Sequence, residues 1–196
     1  MTAMPRIDRA SLMTLEAYAR ERPQFRARVM AHKKNRTVRL GDHLTLIFED
    51  ELTLRYQVQE MLRVERIFEE QGIREELEAY NPLVPDGHNL KATLMLEYPE
   101  PEERSRRLEE LIGIEDKVWI QVEGHERVWA VADEDLEREN EQKTSSVHFL
   151  RLELTEAMAG ALKNGAGLAI GVAHPRYTAK LEAPPAVRNA LVKDLA

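Results

Sequence analysis

Alternation of apolar and polar residues in four stretches places the strongest constraint on how this chain folds. A period of two residues puts apolar side chains on one face of a β-strand, and glycine turns between adjacent runs are typical of hairpins. The alternating stretches are residues 38–48, with a turn at Gly41-Asp42, then 90–98, 117–132 and 147–154. The pattern predicts a sheet built largely from antiparallel hairpins.

The hairpin at 117–132 also has a predictable register. If Glu123-Gly124-His125 forms a three-residue turn, Trp119 lies opposite Trp129. On each face of the hairpin, the side chains of the two strands are then of similar character. A tryptophan pair of this kind is more typical of a core or an oligomer interface than of a base-stacking platform. The sequence therefore leaves open a homodimer formed through this hairpin.

Helical spacing accounts for most of the remaining chain. It predicts two N-terminal helices, the second with Pro23 in its first turn, and a long central helix over residues 56–69. Shorter helices are predicted at 102–112 and after Thr155. The predicted class is α+β, with a mostly antiparallel or mixed sheet of about six to seven strands and these helices packed on it.

Length and composition bound the organisation and the chemistry. A chain of 196 residues predicts one domain, here residues 1–177, followed by a C-terminal tail at 178–196 that could form a short helix. The absence of cysteine excludes iron–sulfur clusters ligated by cysteine within this chain. Because no apolar run approaches the roughly 18 residues of a membrane span, a cytoplasmic location without a membrane partner is expected.

The predicted central helix carries a hypothesis for a divalent metal. Glu65 falls within the apolar arc of this helix and Glu69 lies one turn further on, so a buried cation between them would offset the cost of burying charge. His148, on a strand face with three leucines, would be the third ligand. The alternative is that Glu65 pairs with a basic residue, Glu69 is solvated and His148 bonds a backbone carbonyl.

The same helix predicts a polar pocket lined by Tyr56, Gln57 and Glu60. A plain surface pair between Glu60 and Arg63 would explain the glutamate equally well. No phosphate-binding glycine loop and no Gly-x-Ser-x-Gly nucleophile motif occurs, so the residues alone do not decide whether this chain is an enzyme.

Residues 20–39 are strongly basic on a chain of net charge −7, with eight basic residues and one acidic residue. This contrast predicts partner docking through Arg26, Lys33, Lys34 and Arg36, with the acidic segment 133–141 as a second steering surface. Intramolecular pairing or simple solvation is the alternative. Nucleic acid is disfavoured as the partner because its binding proteins usually carry a basic domain overall.

Five segments together resemble a bacterial family of proteins of unknown function, over about residues 8–177. They are residues 22–26, 31–36, 56–63, 80–87 and 143–149, read as RPQFR, AHKKNR, YQVQEMLR, YNPLVPDG and KTSSVHF. Members of that family tend to be encoded beside a rubrerythrin and a cysteine-rich iron–sulfur oxidoreductase. The resemblance implies a non-catalytic accessory protein that binds a partner of this redox system. The residues alone support equally the alternative, which is a metal-binding protein or a metal-dependent enzyme that uses the carboxylates of the central helix and a strand histidine.

Overall fold

A computed structural model describes residues 6–132 and 143–196, which form two four-stranded antiparallel sheets and six α-helices. The strands are β1 (Thr37–Leu40), β2 (Leu44–Glu49), β3 (Asn89–Leu96), β4 (Val118–Val122), β5 (Arg127–Trp129), β6 (Val147–Glu153), β7 (Leu168–His174) and β8 (Tyr177–Glu182). The helices are α1 (Leu15–Lys33), α2 (Glu51–Val64), α3 (Glu70–Tyr80), α4 (Pro101–Glu110), α5 (Glu156–Lys163) and α6 (Pro185–Val192).

The two sheets approach each other at both pairs of outer strands. The first sheet has the order β1-β2-β3-β6 and the second has the order β5-β4-β7-β8. Just beyond β5, Val131 exchanges two 2.8 Å backbone hydrogen bonds with Arg151 of β6. On the other side, the Tyr177 hydroxyl donates to Leu40 O at 2.6 Å and accepts from His43 N at 3.0 Å. The result is an incompletely closed, eight-stranded barrel.

Apolar side chains fill three connected regions. The main core lies between the sheets, and it receives the inward-facing residues of both sheets together with residues of α4 and α6. A second cluster joins α2 and α3 to the outer face of the first sheet, where Phe149 contributes. A third fastens α1 to α2 through Tyr18, Phe25, Val29 and Tyr56. The helices α1, α2 and α3 therefore form a layer outside the barrel.

The structure confirms the predicted hairpins. β1 and β2 pair around Gly41, and Trp119 lies opposite Trp129 in the predicted register. The predicted strands at 90–98 and 147–154 are β3 and β6, and Thr155 caps α5 by accepting a hydrogen bond from Met158 N. The prediction of six to seven strands was too low, because the segment at 177–182 forms an additional strand.

Two helix predictions were wrong. One helix, α1, runs through Pro23 where two helices were predicted. Proline inside a helix costs about 3 kcal/mol, and burial of Tyr18, Phe25 and Val29 on both sides of it offsets that cost. Only residues 56–64 of the predicted helix at 56–69 are helical, and they belong to α2, which begins at a capping box formed by Asp50 and Thr53 and ends at Val64.

The predicted C-terminal tail at 178–196 contributes to the core. It contains β8 and α6, and Val187, Leu191 and Leu195 lie in the same buried cluster as the inner strand residues. The Arg188 guanidinium donates to the carbonyl oxygens of Ala166, at 2.6 Å, and Leu162. The acidic segment 133–141 lies outside the described residues. No helix in the described ranges is long and apolar enough to span a membrane.

Candidate functional site

The structure does not bring the three predicted metal ligands together. Glu65 and Glu69 are both exposed, because α2 ends before Glu65 and α3 begins after Glu69. His148 is buried on β6, where its Nε2 lies 2.8 Å from Thr144 Oγ1 and 3.1 Å from Ser145 O. Among residues 6–132 and 143–196, no group of three or more histidine and carboxylate side chains is placed to hold a metal ion.

The predicted pocket residues have other roles. Tyr56 packs edge-on against Phe25, with ring centroids 5.9 Å apart, and Gln57 is exposed. Glu60 accepts hydrogen bonds from the Tyr18 hydroxyl and from Arg22 Nε, both at 2.6 Å. The bond from Arg22 lowers the pKa of Glu60 to about 2, although burial acts in the opposite direction. Glu60 therefore joins α1 to α2 as a paired anion.

We use the name α1 basic surface for four cations along α1 and at its C-cap: Arg26, Arg28, Lys33 and Lys34. Arg28 lies over the Phe25 ring at 5.0 Å from its centroid, and Lys33 lies over Tyr56 at 5.8 Å. In the part of the chain that the structure describes, no carboxylate is within ion-pair distance of any of the four. Other cations nearby are paired: Arg20 with Glu16, Arg22 with Glu60 and Arg55 with Glu51.

Arg36 does not belong to this surface, which corrects the prediction that it docks a partner. Its side chain is only 1% exposed. The guanidinium donates to Phe48 O at 2.7 Å, to Glu49 O at 3.1 Å and to Asp194 Oδ2 at 2.5 Å. The chain turns sharply after α1, so Arg36 enters the junction between β2 and the end of α6 and fastens these elements together.

Arg36 forms part of the wall of a cavity of about 360 Å³. The cavity lies where the end of α1, the start of α2, the loop at residues 84–85 and the end of α6 meet. Its polar wall contains His32, Asn35, Arg36, Asp50, Glu51, Lys193 and Asp194, and its apolar wall contains Leu52, Val84, Pro85 and Ala190. This size is within the range of small-molecule sites, roughly 300–1,000 Å³. We call it the α1–α6 cavity.

Two carboxylates in the cavity wall share Arg36 but have opposite pKa shifts. Burial raises the pKa of Asp194 to about 6, although Arg36 acts in the opposite direction. Burial also disfavours the Asp50 anion, but Arg36, the Thr53 amide and His32 outweigh it and lower the pKa of Asp50. His32 Nε2 lies 2.5 Å from Asp50 Oδ2. Of the two carboxylates that share Arg36, Asp50 is thus held in its ionised form, whereas the pKa of Asp194 is raised to about 6.

Sequence reasoning missed this cluster. Asp50 and Thr53 have the spacing of a capping box, which would have indicated the start of α2. Asp194 is 158 residues from Arg36, and no local pattern marks such a pair. His32 lies within the predicted basic run but was interpreted only as part of the family resemblance.

A protein-family model described as "Protein of unknown function (DUF3501)" matches residues 6–195. The fold is similar to the crystal structure of a novel protein of unknown function from Burkholderia pseudomallei, with 54% sequence identity and a TM-score of 0.92. That similarity covers 97% of this chain and 99% of the other. Comparison with curated proteins found no match. The matched range extends past residue 177 and includes all but the last residue of the predicted tail.

Proposed function

The chain belongs to the DUF3501 family of proteins of unknown function, and we propose that it is an accessory protein that docks an acidic partner through the α1 basic surface. One observation carries this proposal: the four cations of that surface lack carboxylate partners within the described residues, on a chain of net charge −7. Cations left without carboxylate partners are available for ion pairs across an interface, where they steer association and fix register.

The helix that carries these cations is a rigid platform. Tyr18 and Val29 of α1 are fully buried, and Phe25 is 5% exposed. The Glu60 carboxylate adds a bidentate pair with Arg22 at 2.6 and 3.0 Å. Because α1 is already ordered against α2, docking would require little further loss of backbone freedom. Electrostatic association through such a surface would be rapid and sensitive to salt.

The family resemblance supports a rubrerythrin or an iron–sulfur oxidoreductase as the proposed partner, which would then carry an acidic docking surface. With no cysteine in this chain, thiolate-ligated redox centres would lie on the partner. The metal-binding alternative is not proposed, because the described residues do not assemble the predicted ligand set.

A charge-reversal variant tests the proposal. We expect Arg26→Glu/Lys34→Glu to weaken binding to purified, metal-loaded rubrerythrin by about tenfold or more, since each reversal adds repulsion to a lost attraction. Binding would be measured by calorimetry at low salt, and the iron–sulfur oxidoreductase would be tested in parallel.

The matched control is Arg106→Glu/Lys180→Glu, which reverses two exposed cations on α4 and β8 and should leave the affinity unchanged. Equal binding by the wild type and the α1 variant would overturn the proposal. So would the absence of binding to both partner classes by the wild-type chain.

A further inference from the structure

We propose that the α1–α6 cavity is a binding site for a small organic amine, with Asp194 receiving the ammonium group and the apolar wall receiving the rest of the molecule. The proposal is independent of docking through the α1 basic surface. Three features support it: the cavity itself, a buried carboxylate with one oxygen that accepts no hydrogen bond within the described residues, and the division of the wall into polar and apolar parts.

The first observation is that Asp194 uses only part of its hydrogen-bonding capacity. Its side chain is 7% exposed, and Oδ2 accepts from Arg36 at 2.5 Å. Within the described residues, Oδ1 has no hydrogen-bond partner, yet it is not among the atoms fully sealed from solvent. Oδ1 is therefore open to a hydrogen-bond donor in the cavity. A ligand N–H in the cavity would satisfy it.

The second observation is the charge of the wall. Three carboxylates line the cavity, from Asp50 and Glu51 at the start of α2 and from Asp194 at the end of α6. Two cations, Arg36 and Lys193, and the imidazole of His32 also line it. Glu51 is paired with Arg55 at 2.9 Å, outside the lining. With Glu51 paired, the anions Asp50 and Asp194 balance the cations Arg36 and Lys193 around His32. The preference for an amine therefore comes from the position of the Asp194 carboxylate, which attracts an ammonium group placed beside it and repels a carboxylate there.

The third observation is the shape of the rest of the wall. Leu52, Val84, Pro85 and Ala190 form an apolar side next to the polar one. A cavity of about 360 Å³ accommodates a single aromatic ring or a short alkyl chain with one polar end. Apolar burial then supplies affinity while the ion pair supplies orientation. This combination selects an amine with an apolar body over a small hydrophilic cation.

The experiment uses three probes of similar shape: 2-phenylethylamine, 2-phenylethanol and 3-phenylpropionate. Binding to the full chain would be followed by amide chemical shifts around residues 32–36 and 190–195. We expect the amine to bind at least about fivefold more tightly than the alcohol at pH 7.5, which is the scale of one charge-assisted hydrogen bond. We expect the carboxylate probe to bind most weakly.

Protonation of Asp194 gives a second readout. Because its pKa is raised to about 6 by burial, the carboxyl is mostly neutral at pH 5. Amine affinity should fall about tenfold between pH 7 and pH 5, while alcohol affinity changes little. His32, Asp50, Glu51 and Lys193 face the same space, so the Asp194→Asn variant is needed to assign the effect. This variant should lose both the preference for the amine and the pH dependence.

Ala190→Leu is a second variant in case Asp194→Asn does not fold. The larger side chain projects from α6 into the apolar wall and should abolish binding of all three probes. Ala186→Leu is the matched control, because Ala186 is exposed on the same helix and is not part of the cavity lining, and this variant should retain amine binding. The proposal is overturned by a preference for 3-phenylpropionate, by equal amine and alcohol binding at pH 7.5, or by no shift up to about 20 mM amine, which is weaker than the millimolar range of fragment binding.

Discussion

The contact between Trp119 and Gly171 illustrates how single residues determine the packing of the second sheet. The two residues are register partners on β4 and β7, and Trp119 is 3% exposed. A Cβ at position 171 would lie 2.3 Å from the indole ring, so only glycine permits this close approach. On the same ring, the Arg127 guanidinium lies 4.0 Å from the centroid. The tryptophan pairing was predictable from turn spacing, whereas its contact across the sheet to Gly171 was not.

Gly171→Ala should therefore destabilise the protein by about 1–3 kcal/mol, the range for overpacking a rigid core contact. Urea denaturation would measure the difference in unfolding free energy, with the same dependence of that free energy on urea concentration expected for the variant and the wild type. Gly160→Ala is the matched control, because a Cβ there meets open space within α5 and alanine favours helix by about 0.5–1 kcal/mol. Equal effects of the two substitutions would contradict this account of Trp119.

Asp194 and Glu60 have opposite effects on the pH dependence of stability. Burial raises the pKa of Asp194 to about 6, so the native carboxyl holds its proton more tightly than the unfolded one. Stability from this group is then lost as pH rises from about 4 to about 6. Glu60, with its pKa lowered to about 2, instead contributes stability that is lost as pH falls below about 4.

Asp194→Asn removes only the contribution of the Asp194 carboxyl to the pH dependence of stability. The free energy of unfolding of this variant, relative to the wild type, should rise between pH 4 and pH 7 because only the wild type must ionise a buried carboxyl. Thermal or chemical denaturation at pH steps across this window measures the difference. A difference that stays constant with pH would show that Asp194 does not titrate there.

At the scale of elements, local chemistry specified the hairpins but not the ends of the helices. Period-two alternation and glycine turns depend on neighbouring residues, so β1–β2 and β4–β5 were predictable. The break between α2 and α3 depends on tertiary packing, since Leu62 and Ile73 must both reach the core shared with the N-terminal segment. Arg66 makes this corner with a left-handed φ of 54°. Glu65 is exposed as a consequence, and the predicted metal ligands are separated.

Arg66→Gly should stabilise the protein by up to about 1 kcal/mol, because the left-handed conformation is unfavourable for a residue with a Cβ. Arg74→Gly, within α3, should instead destabilise it by about 1 kcal/mol through lost helix propensity. Denaturation curves of the two variants provide the comparison. A similar loss of stability in both would indicate that the corner at Arg66 is not strained.

At the scale of the whole molecule, the features that sequence reasoning missed are those that join distant segments. The α1–α6 cavity, the Arg36–Asp194 pair and the contact between Tyr177 and the β1–β2 turn link residues more than 130 positions apart. Such contacts have no local periodicity. Residues 187, 191 and 195 have only a weakly amphipathic spacing, and it is the long-range packing of α6 and the residues after it on the barrel that buries them.

A chain ending at residue 183 should fail to fold cooperatively. It would lose three buried apolar side chains, and the buried Arg36 guanidinium would lose Asp194, the closer of its two carboxylates. Loss of a partner from a buried ion pair alone costs about 3–5 kcal/mol. Circular dichroism and a denaturation profile would test this, with full-length Lys193→Ala as a control that retains the fold. A truncated chain with a sharp native transition would show that residues 184–196 are an appendage.

The salt dependence of binding to rubrerythrin tests the proposed docking function most directly. Affinity would be measured over about 50–300 mM sodium chloride, a range in which screening of exposed charges increases strongly. We predict a steep loss of wild-type affinity with salt and a markedly shallower dependence for Arg26→Glu/Lys34→Glu. Binding that is insensitive to salt, or a slope unchanged in the variant, would contradict docking through the α1 basic surface.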